Sequence, residues 1–425
     1  MNINTKYNIL NINYTSKHFF NHFFTSLLII SFLVFFLGTR ADIYMAGVQV
    51  GYHGFRPIGY PAILYLLSQF LDYENIKYAA VLINGIFFSF IFSCLTIISK
   101  NFNSNNYLSY LIFFVFLCPL FYEVFVIRET LFYAALTLLI VTNFSKWEDN
   151  STLYGIALGL LYIIRPTGIV AFLAFILVTT IFFYKKTNKI FFFKKFLNTC
   201  FWFFIIAGIA IGIIYYKFGV LIFSPSCTSK LNLFIGLTAT DSKAFIFTDM
   251  GEYLNPNRVT VCQDIEYYNN KLKDLLRNIS TLELFKGFII KFVLYFFSYL
   301  PLGSADIFIL DNNQIQIDNF QYSIFRILVS IASIIPSILA LIVLGIRFSR
   351  KLLNDLDFFL IFYVLGHGAI YAIKWPEARY RFPIDPLILF YLFLPINKNS
   401  QDVKTIVTLI YNNLKKKFYS NKINL

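Results

Sequence analysis

Carboxylate and guanidinium side chains recur in this chain at the ends of apolar runs. Asp42 follows the run at residues 23–37, and Arg56, Glu123, Arg128, Glu129, Arg165, Lys374, Glu377, Arg379 and Arg381 border later runs. These residue types suit one chemistry. A guanidinium fork binds phosphate oxygens bidentately, keeps its charge and stabilises a departing phosphate. A carboxylate beside a hydroxyl takes its proton as the oxygen attacks. Group transfer from a lipid-linked phosphate needs those two parts. The chain offers no phosphate-cradling glycine loop and no Cys/His cluster with zinc spacing. No cofactor is identified, and a divalent metal is left open.

Blander readings stand beside this one. Ionisable residues at membrane edges also serve as interfacial anchors. Arg165 could cap carbonyls freed at Pro166, and Glu377 could pair only with Arg379. His53 and His367 read as structural.

The elements that must hold such a set are spanning helices. The chain is 58% hydrophobic and only 14% charged. A soluble protein could not hide that much apolar surface. The apolar runs are continuous, which fits helices rather than the alternating strands of a barrel. The expected fold is an all-α polytopic membrane protein. The net charge of +14 comes from basic residues in short connectors, where the positive-inside rule puts them. It implies orientation, not a nucleic-acid partner.

Charge parity gives a topology. Lys6 and Lys17 put the N-terminus inside. Residues 23–37 are too long and Phe-rich for a cleaved signal and read as a retained span. Further spans are expected at 78–99, 108–124, 129–144, two within 153–184 turning at Arg165-Pro166, and one at 198–216. Residues 217–283 carry seven acids and seven bases. That balance marks an outer loop among basic inner connectors. The stretch 283–301, with Lys286 and Lys291, is expected to lie as a helix at the outer membrane face. Spans at 323–346, 357–373 and 386–394 complete a count of about ten. The whole chain, residues 1–425, reads as one membrane domain, with 217–322 as outer loop and interfacial helix within it. Cys94, Cys118 and Cys200 fall in apolar runs. Cys227 and Cys262 share the outer loop, either bridged or as two free thiols.

Five stretches, in order, carry a resemblance: "RADIY" with Asp42, "FRPIGYPAILYLL" from Phe55, "IRETLFYAAL" with Glu129, "GIALGLLYIIRPTG" with Arg165, and "EARYRFPIDP" from Glu377. The layout resembles the GT-C glycosyltransferases, specifically the bacterial relatives of protein O-mannosyltransferases and of the lipid A aminoarabinose transferase. Protein O-mannosyltransferases carry an Asp-Glu pair in the first loop, whereas Ile43 follows Asp42 here, and no soluble C-terminal domain is seen. The resemblance therefore names no acceptor.

It implies a polyprenyl-phosphate sugar donor, a lipid, glycan or protein acceptor, and an outward-facing site in a bacterial inner membrane. Asp42 would be the general base or would orient the acceptor, with Glu129 as a supporting acid. Arg165, Arg379 and Arg381 would hold donor phosphate, and Tyr380 would stack on sugar or prenyl chain. Arg56, Tyr60, Arg128, Lys374 and Glu377 would complete the substrate site. Two rivals remain. A polysaccharide polymerase or ligase would place its key arginines in the large loop, where only Arg258 and Arg277 lie. A transporter would need charges or broken helices at mid-membrane.

Overall fold

A computed structural model describes residues 12–37, 57–100, 116–117, 120–121, 123–125, 129–184, 187–224, 233, 265–297, 319–373 and 381–394. Among these the fold is all-helical, with no strand. The helices are α1 (Ile12–Leu37), α2 (Gly59–Ser68), α3 (Tyr73–Lys100), α4 (Thr130–Thr142), α5 (Ser151–Ile164), α6 (Ile169–Phe183), α7 (Lys189–Phe218), α8 (Ile265–Asn278), α9 (Thr281–Phe297), α10 (Asn319–Ser349), α11 (Asp355–Ile373) and α12 (Asp385–Leu392).

Among the described residues four stretches are long and apolar enough to cross a membrane: Asn75–Ile98, Pro166–Phe183, Lys189–Phe218 and Asp355–Ile373. The expectation of about ten spans is larger than this. Six further apolar helices are shorter, among them Thr130–Thr142 and Ser151–Ile164. The 14 residues of α5 rise about 21 Å, short of the ~30 Å hydrocarbon core.

Helix α4 sits at the centre. Its apolar residues lie on every side, and ten of its thirteen residues are buried. A helix greasy all round must be surrounded. Helix α7 is the contrary case. Phe192, Thr199, Phe203, Ala207, Ala210 and Ile214 form one buried stripe at helical spacing. Its other faces expose Phe201, Phe204, Ile209 and Ile213, a surface suited to lipid. Asn188 opens α7 by accepting the Phe191 N–H at 3.0 Å. Gly219 ends it at φ +69°, with its N–H on the Tyr215 carbonyl, the left-handed stop that glycine adopts without strain.

Helices α5 and α7 pack closely because glycines clear the way. A Cβ on Gly155 would lie 2.4 Å from the Thr199 carbonyl oxygen, and one on Gly159 would lie 2.6 Å from the Ile206 side chain. This is the small-xxx-small device of membrane helices. Polar bonds finish the join. Asn198 donates to Ser151 Oγ and Thr152 Oγ1, each at 2.9 Å, and Thr199 Oγ1 donates to the Ser151 carbonyl at 3.0 Å.

The helix expected at residues 283–301 is α9. It opens with a reciprocal cap: Glu283 N–H donates to Ser280 Oγ, and both Ser280 donors reach Glu283 Oε2. Those bonds hold the Glu283 carboxyl below its ordinary pKa. Beyond the cap α9 packs along α11 and α10, with Tyr295 and Lys291 buried. Gly368 makes room, since a Cβ there would meet the Phe296 ring at 2.7 Å.

At the start of α11, Asp357 holds three elements together. Arg347 at the end of α10 donates Nε to Asp357 Oδ1 at 2.7 Å and Nη2 to Oδ2 at 2.6 Å. Tyr391 of α12 donates to Oδ1 at 2.9 Å, and the Asn354 N–H to Oδ2 at 2.8 Å.

Substituting leucine at Gly155 should force α5 and α7 apart, costing about 1–3 kcal/mol as overpacking does. Gly208, which has open space around a built Cβ, should accept alanine without loss. Apparent melting temperatures of the detergent-solubilised variants measure this. Equal melting of both variants would show that the close approach contributes nothing.

Candidate functional site

Pro166 creates the site's central feature. It disfavours helical backbone at the residue before it, so Arg165 takes an extended conformation (φ −144°, ψ 133°) between α5 and a short turn at Pro166–Gly168. The Arg165 carbonyl accepts the Gly168 N–H at 2.8 Å. At the break Arg165 Nε donates to Glu129 Oε1 at 2.7 Å. Both side chains are buried, at 8% and 6% exposure. Glu129 stands at the N-terminus of α4, where the helix dipole favours a carboxylate.

One turn along α4, Tyr133 lies under Arg165, whose guanidinium carbon is 5.8 Å from the ring centroid. The Tyr133 hydroxyl bonds the Tyr363 hydroxyl of α11 at 2.9 Å and accepts from Thr167 Oγ1 at 3.4 Å. Thr137 Oγ1 is 3.4 Å from the same Tyr363 hydroxyl. The chain of polar groups continues along α11. His367 packs against Tyr133, and its Nδ1 bonds the Tyr295 hydroxyl at 2.6 Å. Tyr295 in turn stacks on Tyr371.

Of the residues singled out from sequence, Glu129 and Arg165 are directly paired. Tyr60 is buried and donates to Asn84 Oδ1 at 3.3 Å. Its neighbour Gly59 sits against Ile163 and Ile164, which brings the start of α2 to the Arg165 break.

Arg381 departs from the expectation of a phosphate ligand. It is 1% exposed. Nε donates to Asp385 Oδ1 at 2.9 Å, Nη2 to Ser337 Oγ at 2.8 Å and Nη1 to the Phe296 carbonyl. A phosphate would have to displace protein partners from a buried guanidinium. Arg165 Nε is likewise bonded to a protein partner, Glu129. Asp42, Arg56, Arg128, Lys374, Glu377, Arg379 and Tyr380 lie outside the described residues, as do His53, Cys118, Cys227 and Cys262. Cys94 and Cys200 are free thiols. Among the described residues no group of three or more His, Cys, Asp or Glu is placed to hold a metal ion.

Sequence reasoning missed Tyr133, Tyr295 and Tyr363, and set His367 aside. A signal was present. Tyr363, His367 and Tyr371 recur at i, i+4 and i+8, one polar stripe on an apolar helix. Tyr133 likewise follows Glu129 by four residues.

Removing one member of the Glu129–Arg165 pair leaves an uncompensated buried charge, which costs about 3–5 kcal/mol. Glu129→Gln and Arg165→Gln should each lower the melting temperature of the purified protein. The double variant Glu129→Leu/Arg165→Met should melt above either, because it strands no charge. A double variant as unstable as the sum of both would sink the pairing account.

No protein-family model, curated protein or solved structure matches this chain.

Proposed function

We propose that this chain is a membrane glycosyltransferase that moves a sugar from a polyprenyl-phosphate donor to an acceptor hydroxyl at the extracytoplasmic face of a bacterial inner membrane. The observation that carries this reading is the buried Glu129–Arg165 pair at a proline break. It joins two of the five stretches on which the resemblance rests, and a third reaches it through α2. Helix α1 supports it from the other side. Ile30 packs at Gly85 while Phe19 meets Phe90, so α1 runs antiparallel to α3. Leu37, the residue nearest Asp42 that is described, thus lies toward the Tyr73 end of α3.

In this reading Glu129 orients Arg165 and is not itself an acid catalyst. Arg165 holds the donor phosphate through the guanidinium edge turned from Glu129. Asp42 takes the proton of the acceptor hydroxyl. The acceptor oxygen bonds the anomeric carbon as the bond from that carbon to the phosphate oxygen breaks, and its electron pair leaves on the polyprenyl phosphate. Arg379 and Lys374 are further candidates for neutralising that charge. Arg381 acts as a structural latch.

The first test is mass spectrometry of cell-surface glycans with and without the gene. Loss of one monosaccharide from a glycan supports transfer. Loss of chain length alone would favour a polymerase instead. The second uses purified protein and a synthetic polyprenyl-phosphate sugar. Asp42→Asn should lower turnover by about 10²–10⁴ with melting unchanged, the usual cost of a lost general base. Arg165→Lys should raise KM for the donor, since a point charge lacks the bidentate fork. Near-normal turnover of a well-folded Asp42→Asn would remove Asp42 from the mechanism.

A further inference from the structure

A cleft of about 280 Å³ opens between α9, α10, α11 and α12. Phe296, Leu341, Leu344, Leu360, Val364 and Ile388 form most of its wall, which is almost wholly apolar. Dry apolar cavities of about 150 Å³ already bind benzene, so this one holds a length of hydrocarbon. Its rim says which phase supplies it. Leu341 and Leu365 line the cleft and are 57% and 46% exposed. Exposed Ile335 and Ile338 continue the apolar surface along α10. In a protein whose α11 is long and apolar enough to span a membrane, the medium at such a rim is lipid.

The polar groups of the wall are turned to protein. Ser337 Oγ accepts from Arg381, and the Tyr391 hydroxyl donates to Asp357. Arg381, joined to this wall through Ser337, has donors on Asp385, Ser337 and the Phe296 carbonyl, and Arg347, beside Tyr391, is held by Asp357. The wall therefore recognises a chain and no phosphate. Among the residues that line the cleft there is no Lys or Arg, so a polyprenyl phosphate drawn wholly into it would have no cation of the wall for its phosphate. A bulk phospholipid keeps its headgroup at the membrane surface and asks only for a slot.

From this we infer that the cleft is a binding site for one acyl chain of a bilayer phospholipid, inserted tail first from the lipid side. The bound chain supplies packing that α9 to α12 otherwise lack at their junction. The inference does not rest on the transferase reading.

The test uses the full chain in vesicles of phosphatidylethanolamine and phosphatidylglycerol. A small fraction of the lipid carries a diazirine near the end of one acyl chain. After irradiation, labelled peptides are mapped by mass spectrometry. Label on Leu341, Leu344, Leu360 and Val364 should exceed, severalfold, that on the exposed face of α7 at Phe204 and Ile209. Val364→Trp, which fills the cleft, should abolish the excess while leaving the α7 label unchanged. Even labelling of both regions, or an excess undiminished in a Val364→Trp protein that melts normally, would overturn the proposal. Should that variant not fold, the comparison within wild-type protein still decides. Displacement of the label by an equimolar trace of polyprenyl phosphate would also overturn it, by showing that the slot prefers a prenyl chain.

Discussion

A charge inside an apolar helical bundle needs an opposite charge or several hydrogen bonds, because nothing else nearby can solvate it. Arg165 brings that requirement into the centre of this protein. Pro166 disfavours helical backbone at the residue before it, and the extended Arg165 meets Glu129 at the start of α4. Glu129 has to be there. With Glu129 fixed, the position of α4 against α5 is fixed too, and Tyr133 follows one turn later beneath the guanidinium. The contact of α4 with α11 then passes through hydroxyls rather than through shape alone.

The same rule operates at both ends of α11. Near its start, Asp357 gathers Arg347, Tyr391 and the Asn354 N–H. Near its end, Arg381 gathers Asp385, Ser337 and the Phe296 carbonyl. Lipid is as apolar as leucine, so a membrane bundle gains little by burying side chains from it. Specific polar contacts and close approach at small residues must hold the helices in register. Gly155, Gly159 and Gly368 supply the close approach here.

Two arginines of one motif-bearing set thereby acquire different work. Arg165 pairs with Glu129 at a chain break that also gathers the ends of α2 and α4. Arg381 is enclosed by partners from three helices. Residue type suggested phosphate binding for both. Both are buried; what separates them is position, Arg165 at the break between α5 and α6 and Arg381 bonded to α9, α10 and α12, and the proposed chemistry rests on the first.

The sequence by itself determined the helical class, the break at Arg165-Pro166 and the location of Glu129 at the head of a helix. Each follows from local causes: apolar length, the steric demand of proline, and the point where an apolar run begins. It also held the stripe of Tyr363, His367 and Tyr371, legible as spacing but mute about partners. Only the tertiary structure decided that Glu129 meets Arg165 across 36 residues, that Tyr295 reaches His367 across 72, and that Arg381 is occupied by protein. Pairing between distant residues depends on how helices pack, and one chain's periodicity fixes a helix's face without naming what lies opposite. The span count was not legible for a related reason. Composition marks a run as apolar, whereas α4 and α5 owe their burial to surrounding helices, and protein neighbours demand no minimum length.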